Sequence, residues 1–128
     1  MRSPPKKAEF RCTVKVQVLA EHSDPSQGVH AYAYTVTIVN TGAVTAQLVA
    51  RRWLITDGQG HTEEVRGLAV VGHQPLLKPG ESFEYTSWTR LPTPMGTMRG
   101  VFYCMTDNAE PFEADVPEFL LAPPQALH

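Results

Sequence analysis

The stretch Arg66-Gly-Leu-Ala-Val-Val-Gly-His-Gln-Pro-Leu-Leu-Lys-Pro-Gly-Glu-Ser-Phe-Glu-Tyr-Thr-Ser87 joins two runs of strand character through a long loop built around Gly67, Gly72, Pro75, Pro79 and Gly80. Within it, Lys78-Pro-Gly-Glu81 has the form of a type II turn. Pro79 presets φ at the first corner, and Gly80 accepts the positive φ that the second corner demands. The turn delivers the chain into an alternating run, Phe83 and Tyr85 against Glu84 and Thr86, the period of two that a half-buried strand shows. Loops of this length without their own helix or strand are uncommon in compact domains and are often functional.

The same alternation recurs on both sides of this stretch. Phe10, Cys12, Val14, Val16 and Val18 alternate with Arg11, Thr13, Lys15 and Gln17, so one face is buried and the other meets water, as in an antiparallel sheet. Glu21 to Gly28 is polar and reads as a loop. Tyr32 to Val39 is β-branched and aromatic, a second strand. Asn40-Thr-Gly42 turns the chain into a longer strand, Thr45 to Thr56, whose alternation slips between Leu48 and Trp53; a bulge or burial on both faces would account for that. Asp57-Gly-Gln-Gly60 is a tight connection to a short polar strand near His61 to Arg66. Beyond Leu91-Pro-Thr-Pro-Met-Gly96, Met98 to Thr106 and then Phe112 to Val116 alternate again, with Phe119 to Leu121 extending the last run past Pro117.

These runs predict an all-β fold, a fibronectin-III- or immunoglobulin-like β-sandwich of about seven antiparallel strands in two sheets, with no convincing helix. A chain of 128 residues is one domain. The boundaries expected are a flexible lead-in over 1–8, the sandwich over 9–121 and a tail over 122–128. A hydrophobic fraction of 42% suits a packed core, and 11 prolines with 9 glycines suit strands and turns. The net charge of −2 argues against a broad nucleic-acid surface. No apolar run is long enough to span a bilayer, and no apolar segment follows the charged N-terminus, so neither a membrane span nor a secretory signal is expected. Cys12 and Cys104 sit in alternating runs and read as two reduced, buried thiols, the habit of a cytoplasmic protein.

Arg51-Arg-Trp-Leu-Ile-Thr-Asp57, Val65-x-Gly67, Val70-Val-Gly72-x-Gln-Pro75, Leu77-x-Pro-Gly-Glu81, Tyr85-Thr-Ser87, Thr93-Pro-x-Gly-x-Met98-x-Gly100 and Phe112 to Phe119 together resemble the ApaG family, over nearly the whole chain. The resemblance implies a fibronectin-III-like sandwich of three- and four-stranded sheets and no established catalytic activity. It implies a family-level genetic link to cobalt resistance and magnesium efflux, and protein contacts as the role of related domains. It also brings a suggested Gly-x-Gly-x-x-Gly site for pyrophosphate or nucleotide, which here is Gly67-Leu-Ala69-Val-Val-Gly72, with Ala69 at the middle glycine.

Two sets of residues are candidates for a site. An anion loop would use Gly67 and Gly72 with Arg51 and Arg66, through backbone amides and guanidinium forks. Against it, a dinucleotide fingerprint needs a helix after the glycines, and Pro75 followed by strand pattern stands there instead. Arg51 and Arg52 are neighbours on a strand, so only one of them faces outward. The second set, Trp88, Arg90 and Pro92, lies where strand gives way to loop and carries residue types enriched at binding hot spots. An edge strand could also accept a partner strand, including one from a second copy. No histidine pair has i, i+2 spacing, and Glu113 with Asp115 more simply form a solvated face than a cation site, so no metal and no cofactor is expected. No Gly-x-Ser-x-Gly elbow is present and no catalytic residue is assigned. The reading is a non-enzymatic binding or adaptor module with a protein partner; the alternative is a phosphate- or nucleotide-binding protein using the Gly67–Gly72 loop.

Overall fold

The computed structural model describes residues 7–123; the expected lead-in and tail fall outside the described residues at 1–6 and 124–128. The alternating runs become eight strands: β1 (Phe10–Val18), β2 (His30–Asn40), β3 (Ala46–Asp57), β4 (Thr62–Leu68), β5 (Leu76–Leu77), β6 (Ser82–Leu91), β7 (Gly96–Thr106) and β8 (Pro111–Leu121). Two single-turn 3-10 segments, Ala20–His22 and Pro25–Gln27, lie in the polar loop between β1 and β2. The count exceeds seven by β5, a two-residue strand inside the long loop that is too short to show any alternation.

Two antiparallel sheets face each other. The first has the order β1-β2-β6; the second has β4-β3-β7-β8, with β5 paired to β3 beyond the end of β4. β1 and β8 approach along one side of the sandwich. The inner faces interdigitate around Tyr32, Val36, Ile38, Leu48, Trp53, Val70, Met98, Phe102 and Leu121, all essentially without exposure. Trp53 sits at the centre, edge-on to Tyr34, Phe102 and Phe119. Burying each such large side chain contributes about 1.5–3 kcal/mol.

The slip in β3 is a bulge. The register against β7 shifts between Leu48 and Ala50, so Ala46 and Leu48 point inward before it and Trp53 and Ile55 after it. The loop satisfies the bulge carbonyl: Val49 O accepts from the Ala69 amide at 2.8 Å and from Gln74 Nε2 at 3.0 Å. A second register shift, between Met98 and Gly100, lets β8 run unbroken past Pro117. The turn before β6 has the expected form, with Gly80 at φ +86° and the Glu81 amide donating to Lys78 O at 2.9 Å.

Asn40, at the end of β2, is 1% exposed rather than a surface turn residue. Its Nδ2 donates to Val44 O and Leu77 O, both at 2.9 Å, and its Oδ1 accepts from the Gly42 amide at 2.9 Å. One amide thereby ties the β2–β3 turn to β5 and fixes where the long loop begins its return to the first sheet.

Candidate functional site

The long loop is shorter than its sequence suggests. β4 continues to Leu68, so Gly67 is a strand residue paired with Arg51. Beyond the strand the chain makes a tight turn: Val70 and His73 exchange both backbone hydrogen bonds, at 2.8 and 2.9 Å. The two central residues, Val71 at φ +48° and Gly72 at φ +79°, are both left-handed, as a type I′ turn requires. Ala69 also has positive φ, +66°. Val70 between them is fully buried, and His73 packs its ring against Phe83 on β6.

The two arginines assigned to an anion loop stand on opposite faces of the second sheet. Arg51 shares the inward parity of Trp53 and donates Nη1 to Leu68 O at 2.8 Å and Ala69 O at 2.9 Å. It clamps the end of β4, and its charge reaches the buried phenols of Tyr34 and Tyr85. Arg66 lies opposite Arg52 on the outer face, where both bind Glu64, at 2.8 and 2.7 Å. Those hydrogen bonds and charges hold the Glu64 carboxyl below its ordinary range. Gly72 projects at the loop tip with open space around it. The four residues therefore do not converge, and the Ala69, Val70 and His73 amides are already spent on backbone carbonyls.

Trp88, Arg90 and Pro92 do share one surface. β6 presents Glu84, Thr86, Trp88 and Arg90 outward, and Phe83, Tyr85, Ser87, Thr89 and Leu91 inward. Trp88 is 55% exposed. The Arg90 guanidinium lies 5.4 Å from the ring centre, a cation–π contact, and His22 stacks on the ring at 6.5 Å and 27°. Pro92 is exposed at the end of the strand, and its carbonyl lies beside Gly28 of the loop that carries His22. Sequence reasoning misses His22, because nothing in the chain signals that a residue in the first loop will cover a ring on β6.

A second exposed region gives no sign in the sequence. On the outer face of the second sheet Leu76 and Met105 flank Gln47, and Leu68 and Tyr103 flank Ala50. Leu68 is 73% exposed and Leu76 61%. Side chains at one end of this face thus form an apolar corner next to the loop tip. At the other end an open groove of about 700 Å³ is lined by Arg52, Arg99, Glu113, Asp115 and Glu118 among others. Among the described residues no three His, Cys, Asp or Glu side chains are placed to hold a metal.

The surroundings of both thiols, Cys12 partly and Cys104 fully buried, disfavour the thiolate. Burial, reinforced by the charge of Asp115, pushes Cys12 up to about 12, and burial with Cys12 nearby pushes Cys104 up to about 12; both are free. A protonated thiol is a poor nucleophile. The buried Tyr85 phenol, raised chiefly by burial, has no hydrogen-bond partner among the described residues. Among the described residues no helix is long and apolar enough to cross a membrane.

Comparison with known proteins agrees with this architecture. The family described as the ApaG domain matches residues 20–106. The protein ApaG of Ralstonia nicotianae is 57% identical over 120 residues, covering 94% of this chain and 97% of its own. That of Bordetella pertussis is 54% identical over 125 residues, covering 98% and 95%. A crystal structure of a Bordetella pertussis chain described as ApaA superposes with a TM-score of 0.92 at 53% identity, over 95% of this chain and 99% of that one. Part of a Bacteroides uniformis β-glucuronidase shares the sandwich at a TM-score of 0.56 and 11% identity, which speaks to fold alone; this chain covers 14% of it. With a family match over most of the fold and full-length relatives above half identity, the chain belongs to the ApaG family.

Proposed function

We propose that this chain is a non-enzymatic binding module of the cytoplasm that engages a protein partner through Trp88, Arg90, His22 and Pro92. The observation that carries the reading is a tryptophan left more than half exposed, with a guanidinium 5.4 Å from its ring centre and an imidazole stacked at 6.5 Å. A ring already ordered in the free protein loses little entropy on binding, while its apolar face still gains from leaving water. Tryptophan and arginine are the residue types that dominate binding energy at interfaces. The apolar corner of Leu68, Leu76, Tyr103 and Met105 offers a further contact area on the opposite sheet. The genetic link to cobalt resistance and magnesium efflux that the family resemblance implies would, on this proposal, act through such contacts.

Affinity capture from lysate with the wild-type chain and a Trp88→Ala variant tests this. A partner retained by the first and lost by the second supports it. A thermal-shift screen against nucleotides, pyrophosphate and divalent ions addresses the alternative. A ligand at a hundred times its Kd adds about 2.7 kcal/mol of stability, a shift that would favour the loop of Gly67 to Gly72 instead.

A further inference from the structure

We infer that the free edge of β6 pairs antiparallel with the same edge of a second copy of this chain, about a two-fold axis at Ser87. The Asn40 amide donates to Glu81 O, which sets the phase of the β2–β6 ladder. In an antiparallel pair the groups alternate in direction, so Phe83, Tyr85, Ser87, Thr89 and Leu91 bond to β2. Ser82, Glu84, Thr86, Trp88 and Arg90 consequently aim both backbone groups at the open edge. Among the described residues no backbone hydrogen bond from another element reaches those groups, although on the sheet face Thr37 Oγ1 donates to the Glu84 carboxylate at 2.9 Å and the Thr35 and Thr86 hydroxyls lie 2.8 Å apart.

The other edges carry the devices that block strand addition. β8 contains Pro111 and Pro117 and a register shift, and β1 lies against β8. β4 is crowded with Glu63, Glu64 and Arg66. β6 is less guarded: its register with β2 is unbroken, it contains no proline, and its two charged side chains, Glu84 and Arg90, are of opposite sign and point outward.

The strand is also complementary to itself in one register. Centred on Ser87, antiparallel pairing sets Glu84 opposite the second copy's Arg90, twice by symmetry, and Thr86 opposite its Trp88. Shifting the axis to position 86 sets Glu84 against Trp88, and shifting it to 88 leaves Glu84 facing Pro92, which has no N–H to give. Only the Ser87 register joins both charges. The product is a six-stranded sheet with the two Trp88 surfaces on the same side. The pairing leaves the Trp88 ring on the sheet face, while it shares Arg90 with the proposed partner surface.

Sedimentation velocity over a concentration series in low salt tests the inference. The mass should rise from the 14.2 kDa of one chain toward twice that value. Glu84→Arg and Arg90→Glu should each weaken association at least tenfold, since each sets like charges opposite one another. An equimolar mixture of the two variants, and the doubly exchanged chain, should both regain it; this also shows that the variants fold. A chain that stays monomeric at millimolar concentration overturns the inference. So does a dimer indifferent to the charge exchange, or an edge filled only by an extended peptide from a different protein.

Discussion

The guanidinium of Arg51 occupies the space that a side chain on Gly67 would need. A Cβ built on that glycine stands 2.7 Å from Nη1 and 3.0 Å from the guanidinium carbon, and the same Nη1 holds the carbonyls of Leu68 and Ala69. The glycine is there for the arginine, and the arginine is there for the backbone. Gly67→Ala is therefore expected to displace the clamp and cost about 1–3 kcal/mol in urea unfolding. In an Arg51→Ala background the same change should cost markedly less, a coupling that a double-mutant cycle reads directly.

Ala69 has φ +66°, where L side chains clash with their own backbone at a cost of about 1–2 kcal/mol. Ala69→Gly should raise stability by about 1 kcal/mol, visible as a higher urea midpoint with an unchanged slope. Val71 at φ +48° is β-branched and more strained still, so Val71→Asn should stabilise as well.

Asn40, itself 1% exposed, makes three hydrogen bonds, of which the one to Leu77 O is fully buried. Asn40→Ala takes a donor from the carbonyls of Val44 and Leu77 and leaves the Gly42 amide with Glu9 O alone, and about 1–3 kcal/mol of stability should be lost. Hydrogen exchange should accelerate at Gly42, whose amide keeps only its longer bond, to Glu9 O at 3.1 Å.

Stability should fall at both ends of the pH scale for separate reasons. Glu64 has a folded pKa below its ordinary value, so its contribution is present at neutral pH and disappears as acid protonates it; Glu64→Gln should flatten that limb slightly. Cys12 and Cys104 have folded values raised from 9.0 to about 12. Their contribution is complete below pH 9 and is lost as pH climbs from there toward 12, because the unfolded chain releases those protons first. Iodoacetamide at about pH 8 should leave both thiols unmodified until denaturant is added.

The two tryptophans should separate spectroscopically. Trp53 is 2% exposed and should emit to the blue, out of reach of acrylamide; Trp88 should supply a red-shifted, readily quenched component that vanishes in Trp88→Phe.

Much of this fold is legible in the sequence because period-two patterning is imposed by the pleat itself. The β3 bulge announces itself as a slip between Leu48 and Trp53, since one inserted residue flips every later side chain to the other face. The turn at Pro79-Gly80 is readable because its φ values admit few residue types. The loop before it is not, because its contacts are distant in sequence. Gly67 belongs to a strand because Arg51 fills its side-chain space, a contact across the sheet. β5 exists because Asn40 holds Leu77 from far along the chain. The outward Trp88 can be anticipated from its parity with Glu84 and Thr86, whereas His22 above it, and the meeting of Leu68, Leu76, Tyr103 and Met105, depend on how strands are ordered in the sheets.

The claim that Trp88 marks a partner-binding face is tested most directly by a photoreactive phenylalanine analogue at position 88 in living cells, with position 59 in the β3–β4 hairpin as control. Position 88 should yield adducts that contain a different protein, and position 59 none of these. Equal labelling from both positions, or no heterologous adduct from position 88, would contradict it.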